Sequence, residues 1–273
     1  MQITYNFLLA AHQKYGSDER KICKASLKCE PEQIQENVII APTWEADVFR
    51  SHVDSISNVA PKTCRGTINE LCLNDKKVTF ITTGIGACNV LDATLALGCT
   101  PCKNVIFMGS VGALDKNMKI GDIVIPEYCI CGVGANRYLT SNPFTNNDTF
   151  GEKFYPNEDL SNQVLSIARD TVKNTDVNVH IGKTFSVDTV FAEYVHLDEI
   201  LNTGCNSIEM ETSTFFHAAS IANLKAAAIF SVSDNTFANK SLYSGRTEHD
   251  KLKKDKVNSE IVPNIVLKAL NTI

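Results

Sequence analysis

Two carboxylates stand close together in Ser207-Ile-Glu-Met-Glu-Thr212, a segment whose neighbours are otherwise apolar. Burying a carboxylate is costly unless it is paired or put to use, so Glu209 and Glu211 call for an explanation. Strand alternation places both on one face and Met210 on the other. A role in a site is one explanation; a cap on the following helix, by Glu211 or Thr212, is the other. A third carboxylate ends the apolar run Ala227-Ala-Ile-Phe-Ser-Val-Ser-Asp-Asn235, which delivers Ser233 and Asp234 to the carboxyl end of a strand. Desolvation there raises an Asp pKa and lets the group hold a proton to donate, although such an Asp can equally cap a turn. Met108-Gly-Ser-Val-Gly-Ala113 brings the Ser110 hydroxyl to a second strand end, where α/β folds place their ligands. Thr82-Thr-Gly-Ile-Gly-Ala87, with Gly84 at its centre, ends a strand and opens a helix, so its amides can face an anion or a ribose hydroxyl.

The elements that must position these groups follow from the apolar patterning. Short β-branched runs are expected as strands at Asn37 to Pro42, Val78 to Gly84, Asn104 to Ser110, Asp122 to Cys131, His180 to Asp188, Ser207 to Glu211 and Ala226 to Asp234. Several are apolar without alternation, which argues burial on both faces. Helical spacing is expected over Asn89 to Leu97, Asp159 to Val172, Tyr194 to Leu201, Thr212 to Ala222 and Thr247 to Leu270. The alternation of strands and helices predicts a single α/β domain. Residues 1–36 form a polar extension with a weak helical pattern and no assignable task, and residues 37–273 form the domain proper. Asn136 to Pro156 reads as a long loop, of the kind that is commonly functional.

Composition narrows the partners. The 273 residues are 44% hydrophobic and 21% charged, enough apolar material for one large core. A formal charge of −5, with no basic stripe beyond the Lys251 to Lys256 run, gives no footprint for nucleic acid. No apolar run reaches the length of a membrane span, and Phe7 to Ala11 lacks the flanks of a signal peptide, so a cytoplasmic protein is expected. The ten cysteines are scattered through apolar segments and are expected to be core residues. Cys99-Thr-Pro-Cys102 has no second CxxC or spaced His beside it, so no metal is expected. Asn89 stands where the third Gly of a GxGxxG fingerprint would be needed, which disfavours a nicotinamide-dependent oxidoreductase.

Taken in order, TTGIG, MGSVGAL followed by KIGDIVIPE, then GKTFSVD, SIEMETS and AIFSVSDN resemble the nucleoside phosphorylase and nucleosidase superfamily. Its types are purine nucleoside phosphorylase, uridine phosphorylase and methylthioadenosine nucleosidase, and the resemblance spans about residues 37–268. It implies a three-layer α/β domain around a twisted, mixed, partly barrel-like sheet flanked by helices, assembled as a homodimer or a trimer of dimers. It implies cleavage of the N-glycosidic bond of a nucleoside, a purine nucleoside above all, with no cofactor beyond inorganic phosphate where the enzyme is a phosphorylase. By the motif match, Glu211 grips the ribose 2′ and 3′ hydroxyls with Met210 beneath the sugar, and Glu209 and Ser110 lie nearby. Asp234 serves the base as general acid, steered by Ser233. Phe185 is a candidate for stacking on the base, or an ordinary core aromatic.

The match departs from the phosphorylases at phosphate. Their first strand ends in a turn carrying an Arg, whereas Ala41-Pro-Thr-Trp-Glu-Ala-Asp47 has none, and Phe107 occupies the place of a second Arg. Gly84, Ser110 and Arg65 are left as candidate phosphate contacts, with Arg65 reaching from a neighbouring subunit; Arg137 or Arg246 could supply a replacement. A dianion ordinarily needs more than one Arg. The same turn is similar to the Ala-Met-x-x-Glu-Ala of the nucleosidases, with Pro42 for Met, which places Glu45 as the base that activates water. Hydrolysis is therefore expected ahead of phosphorolysis, with a noncatalytic nucleoside-binding homologue as the reading from another class.

Overall fold

The computed structural model describes residues 3–63, 66–144 and 148–272. Its strands are β1 (Asn37–Ala41), β2 (Ser55–Thr63), β3 (Gly66–Leu73), β4 (Lys76–Thr82), β5 (Asn104–Ala113), β6 (Ile123–Gly132), β7 (Lys153–Phe154), β8 (Val179–Val187), β9 (Ser207–Glu209) and β10 (Lys225–Asn235). The α-helices are α1 (Tyr5–Lys14), α2 (Glu19–Leu27), α3 (Ala87–Leu97), α4 (Glu158–Val172), α5 (Leu197–Asn202), α6 (Thr212–Ile221), α7 (Glu248–Lys256) and α8 (Val262–Asn271).

All the strands join one mixed sheet. The order β10-β6-β8-β9-β5 closes on itself because β10 also pairs with β5, giving a five-stranded barrel. From β5 the sheet continues as an open limb, β1-β4-β3-β2. The expected twisted, partly barrel-like sheet between layers of helices is what forms. The two-sided burial of the central strands explains their unbroken apolar sequence. Val105 and Phe107 of β5 pack toward Val90 and Leu97 of α3 and Phe215 of α6. Ile106 and Met108, one residue out of phase, pack toward Val164 of α4 and Ile265 of α8.

Every strand and helix expected from the sequence is present within a few residues, and the differences have identifiable causes. The hairpin β2–β3 was not expected, because its residues are largely polar and it lies at the open edge, where only one flank needs apolar cover. The expected helix from Thr247 to Leu270 is three pieces, with a π turn at Val257–Ile261 between α7 and α8. Pro263 enters at the start of α8 and has no N–H for the carbonyl of Ser259; His52 Nε2 lies 2.8 Å from that oxygen instead. Tyr194 to Leu201 divides into a 3-10 turn, Ala192–His196, and α5.

Residues 3–36 are folded against the domain. Thr4 and Asp18 cap α1 and α2 with their side chains. Cys23 and Leu27 of α2 share the core beneath α3, and the Tyr5 hydroxyl donates to the carbonyl of Leu95 at 2.7 Å. Of the cysteines described, all but Cys72 and Cys88 are buried, as small core residues would be. Among the described residues no helix is long and apolar enough to cross a membrane.

Candidate active site

Strands β5, β8, β9 and β10 present their carboxyl ends or flanking turns to one cleft of about 270 Å³. Ser110, Glu209, Met210, Glu211, Ser233 and Asp234 all line it, so the sequence candidates from three distant segments converge. A bulge carries part of this convergence. The β10 register against β5 shifts between Val232 and Asp234, so Ser233 is inserted and Asp234 falls opposite Gly112. A Cβ on Gly112 would stand 3.1 Å from Ile208 and 3.4 Å from an Asp234 carboxylate oxygen, so glycine leaves that carboxyl its room. Ser233 Oγ donates to Asp234 Oδ1 at 2.6 Å. Burial pushes the Asp234 pKa up, and this hydrogen bond opposes the rise.

The two glutamates have separate tasks, because β9 ends at Glu209 and strand alternation stops there. Glu209, expected to contact ribose or base, spends its carboxylate inside the protein. Its Oε2 accepts from the backbone amides of Glu211 and Thr212, at 2.7 Å each, and from Thr212 Oγ1 at 2.6 Å; Oε1 accepts from Ser186 Oγ. Glu209 therefore satisfies the otherwise orphaned donors at the start of α6, and the helix-capping alternative falls to it rather than to Glu211 or Thr212. Glu209→Ala is expected to cost roughly 3 kcal/mol by leaving two buried amides without an acceptor. The check is a lower urea midpoint at an unchanged denaturant slope.

Glu211 occupies the position before α6 but makes no side-chain cap bond. Its Oε1 instead accepts from the amide of Gly86 at 2.7 Å. One amide of the TTGIG turn thus faces an internal carboxyl, with Gly84 (φ +77°) and Gly86 (φ +108°) in backbone regions that favour glycine. Burial first, and the neighbouring Glu209 second, lift the Glu211 pKa to about 8. Gly84 itself does not line the cleft, whereas the adjoining Ile85 does.

Other candidates are displaced. Phe185, the expected base-stacking ring, does not line the cleft. It borders an adjoining cavity, where it meets Phe150 edge to face at 6.4 Å between centroids. Val190, beyond the end of β8, faces the cleft instead. Glu45 follows Pro42 and Thr43, which line the cleft, but its own Oε2 lies 3.4 Å from the hydroxyls of Thr67 and Thr82. Arg65 lies outside the described residues. Arg137 pairs with Asp148 at 3.7 Å, and Arg246 donates to the carbonyl of Ser233 at 3.0 Å, where its charge opposes the rise in the Asp234 pKa. Phe107 lines the cleft and packs on Phe215 and Phe230.

Glu193 is a site residue that the sequence did not signal. It stands among Val190, Phe191, Ala192 and Tyr194, just before the expected helix from Tyr194, and only the fold brings it to the cleft that Asp234 lines. Burial, then the Asp234 charge, raises its pKa to about 7. With Glu209, whose carboxylate is engaged at the start of α6, Glu193, Glu211 and Asp234 make four acids lining one cleft.

A family model described as "Phosphorylase superfamily" matches residues 38–269. The chain belongs to the phosphorylase superfamily. The motif resemblance is borne out by that match. As a superfamily member the chain is similar to the DeoD-type purine nucleoside phosphorylase of Listeria welshimeri, 26% identical over 163 residues. That alignment covers 59% of this chain and 65% of the relative, just under two thirds of its length. In fold, this superfamily member is similar to a purine nucleoside phosphorylase from Toxoplasma gondii, solved with immucillin-H, at a TM-score of 0.71 and 16% identity, covering 90% of this chain and 96% of that one. It is also similar to the 5′-methylthioadenosine/S-adenosyl homocysteine nucleosidase of Campylobacter jejuni, at a TM-score of 0.67 and 16% identity, covering 88% and 100%.

Proposed function

We propose that the cleft cleaves the N-glycosidic bond of a purine nucleoside, with water as the acceptor. The observation that carries this is the acidic character of the cleft, where Glu193, Glu211 and Asp234 converge and no described lining residue is a cation. Such a wall offers a phosphate dianion no counter-charge, and its carboxyls, raised in pKa by burial, can hold the proton that a departing base needs. The names of its relatives, phosphorylases and a nucleosidase, support the bond type.

Glu211 accepts from the ribose 2′ and 3′ hydroxyls, with Met210 against the sugar and Ser110 at its edge. Asp234, steered by Ser233, gives its proton to N7 of the base. As the C1′–N9 bond breaks, its electron pair leaves with the base. The oxygen of water bonds to C1′, and the water proton is assigned to Glu45, two residues after the cleft-lining Thr43. Free base and ribose result. No cofactor enters this scheme. The protein acts in the cytoplasm as a homodimer or a trimer of dimers, for which exposed Phe144, Phe191 and Tyr243 supply apolar surface.

The test is release of free base from adenosine, inosine, uridine and 5′-methylthioadenosine, each with and without millimolar phosphate. Phosphate-independent release, reduced about a hundredfold in Glu45→Gln, is expected. Release that requires phosphate and yields ribose 1-phosphate would overturn hydrolysis and direct attention to Arg65. Tight nucleoside binding with no turnover in either condition would establish the noncatalytic reading instead.

A further inference from the structure

The cleft does not end at the base. A second cavity, of about 560 Å³, adjoins it and shares Val187 and Glu193 as a common wall. Buried Phe185, Val187 and Ile200 line it, together with the exposed Phe150 and Ala192 and the charged Asp188 and Glu199. Neither the ribose anchor nor Ser110 borders it. The join lies at the end of the cleft assigned to the base, because Glu193, on the shared wall, lines the cleft together with Asp234. We infer that this cavity receives an apolar substituent carried on the exocyclic amine of the base, so that the preferred substrates are nucleosides of N6-alkylated or N6-arylalkylated adenine.

The chemistry of the shared wall fits that class. An N6-substituted adenine keeps one N–H on the exocyclic nitrogen, and the half-buried Glu193 carboxyl can accept it at the junction. The substituent then passes Val187 and lies against the Phe185 ring, burying apolar surface that unmodified adenosine leaves unused. The two cavities together are of a size that ordinarily holds a ligand well beyond a simple nucleoside. Phe185, displaced from the base, thereby acquires a binding role of its own.

This inference rests on the proposed glycosidic cleavage, and the experiment separates the two. Base release from N6-benzyladenosine and from adenosine is measured for the wild type and for Ala192→Trp, which fills the cavity from an exposed rim position. The expected result is a kcat/KM for the benzyl substrate at least about tenfold above that for adenosine, with the ratio falling toward one in Ala192→Trp. A wild-type ratio of one or less, or a ratio unchanged in a folded Ala192→Trp, overturns the inference. Thr203→Trp, from the same cavity, serves where Ala192→Trp fails to fold. If neither nucleoside is cleaved, the proposed reaction has failed and the cavity is judged by calorimetry on the free bases. N6-benzyladenine binding at least tenfold tighter than adenine to the wild type, but not to the filled variant, upholds it; equal binding sinks it.

Discussion

Asp234→Asn is expected to lower base release from adenosine roughly a thousandfold, within the range that general acid catalysis supplies. A departing purine accumulates negative charge, and a proton delivered to N7 removes it. Burial keeps the Asp234 carboxyl protonated to a higher pH than an exposed Asp, and the Gly112 gap and the Ser233 hydroxyl fix its direction. Asn keeps the size and a hydrogen-bond donor, so substrate binding should change little, and the loss should fall on kcat. A substrate whose base leaves readily without protonation, such as a nitrophenyl riboside, should be cleaved by Asp234→Asn at close to the wild-type rate. Equal loss on both substrates would show that Asp234 shapes the cleft rather than supplying the proton.

The legibility of this site from sequence follows the same physics. Asp234 and Glu211 could be picked out because a charged residue in an apolar run violates the ordinary pattern of burial, and violation is what sequence exposes. The sheet was legible for the converse reason: Val105 to Val111 is buried on both faces and its apolar sequence says so. The division of labour between Glu209 and Glu211 was not legible, because it depends on β9 stopping after three residues, a consequence of tertiary pairing with β5 and β8. Phe185 was placed at the base from its motif, but the ring faces the adjoining cavity, and Val190 faces the cleft. Glu193 carried no signal at all. A single acid just before the expected helix from Tyr194 resembles a solvated helix-start residue until the chain after β8 brings it into the cleft with Asp234.

Glu211→Gln is expected to lower kcat/KM by two to three orders of magnitude and to raise the stability of the free protein at pH 8. Two hydroxyl donors to a buried carboxylate are charge-assisted bonds, each worth roughly 1.5–3 kcal/mol, and a neutral amide weakens both. The stability effect comes from the same burial. The Glu211 pKa rises from 4.5 to about 8 on folding, so between these pH values the folded state holds a proton that the unfolded state has lost. The stabilisation from that difference is fully present below pH 4.5 and is lost as pH rises toward 8. Glu193, raised to about 7, adds to the slope over the lower part of the same window. Gln cannot ionise, and its oxygen can still accept from the Gly86 amide. The urea midpoint of Glu211→Gln should therefore change less between pH 5 and pH 8 than that of the wild type and exceed it at pH 8. Parallel pH profiles for the two proteins would mean that Glu211 is already ionised in the free cleft. In that case the acidic wall would hold its full charge before substrate enters, and the nucleoside would meet a carboxylate rather than have to displace its proton.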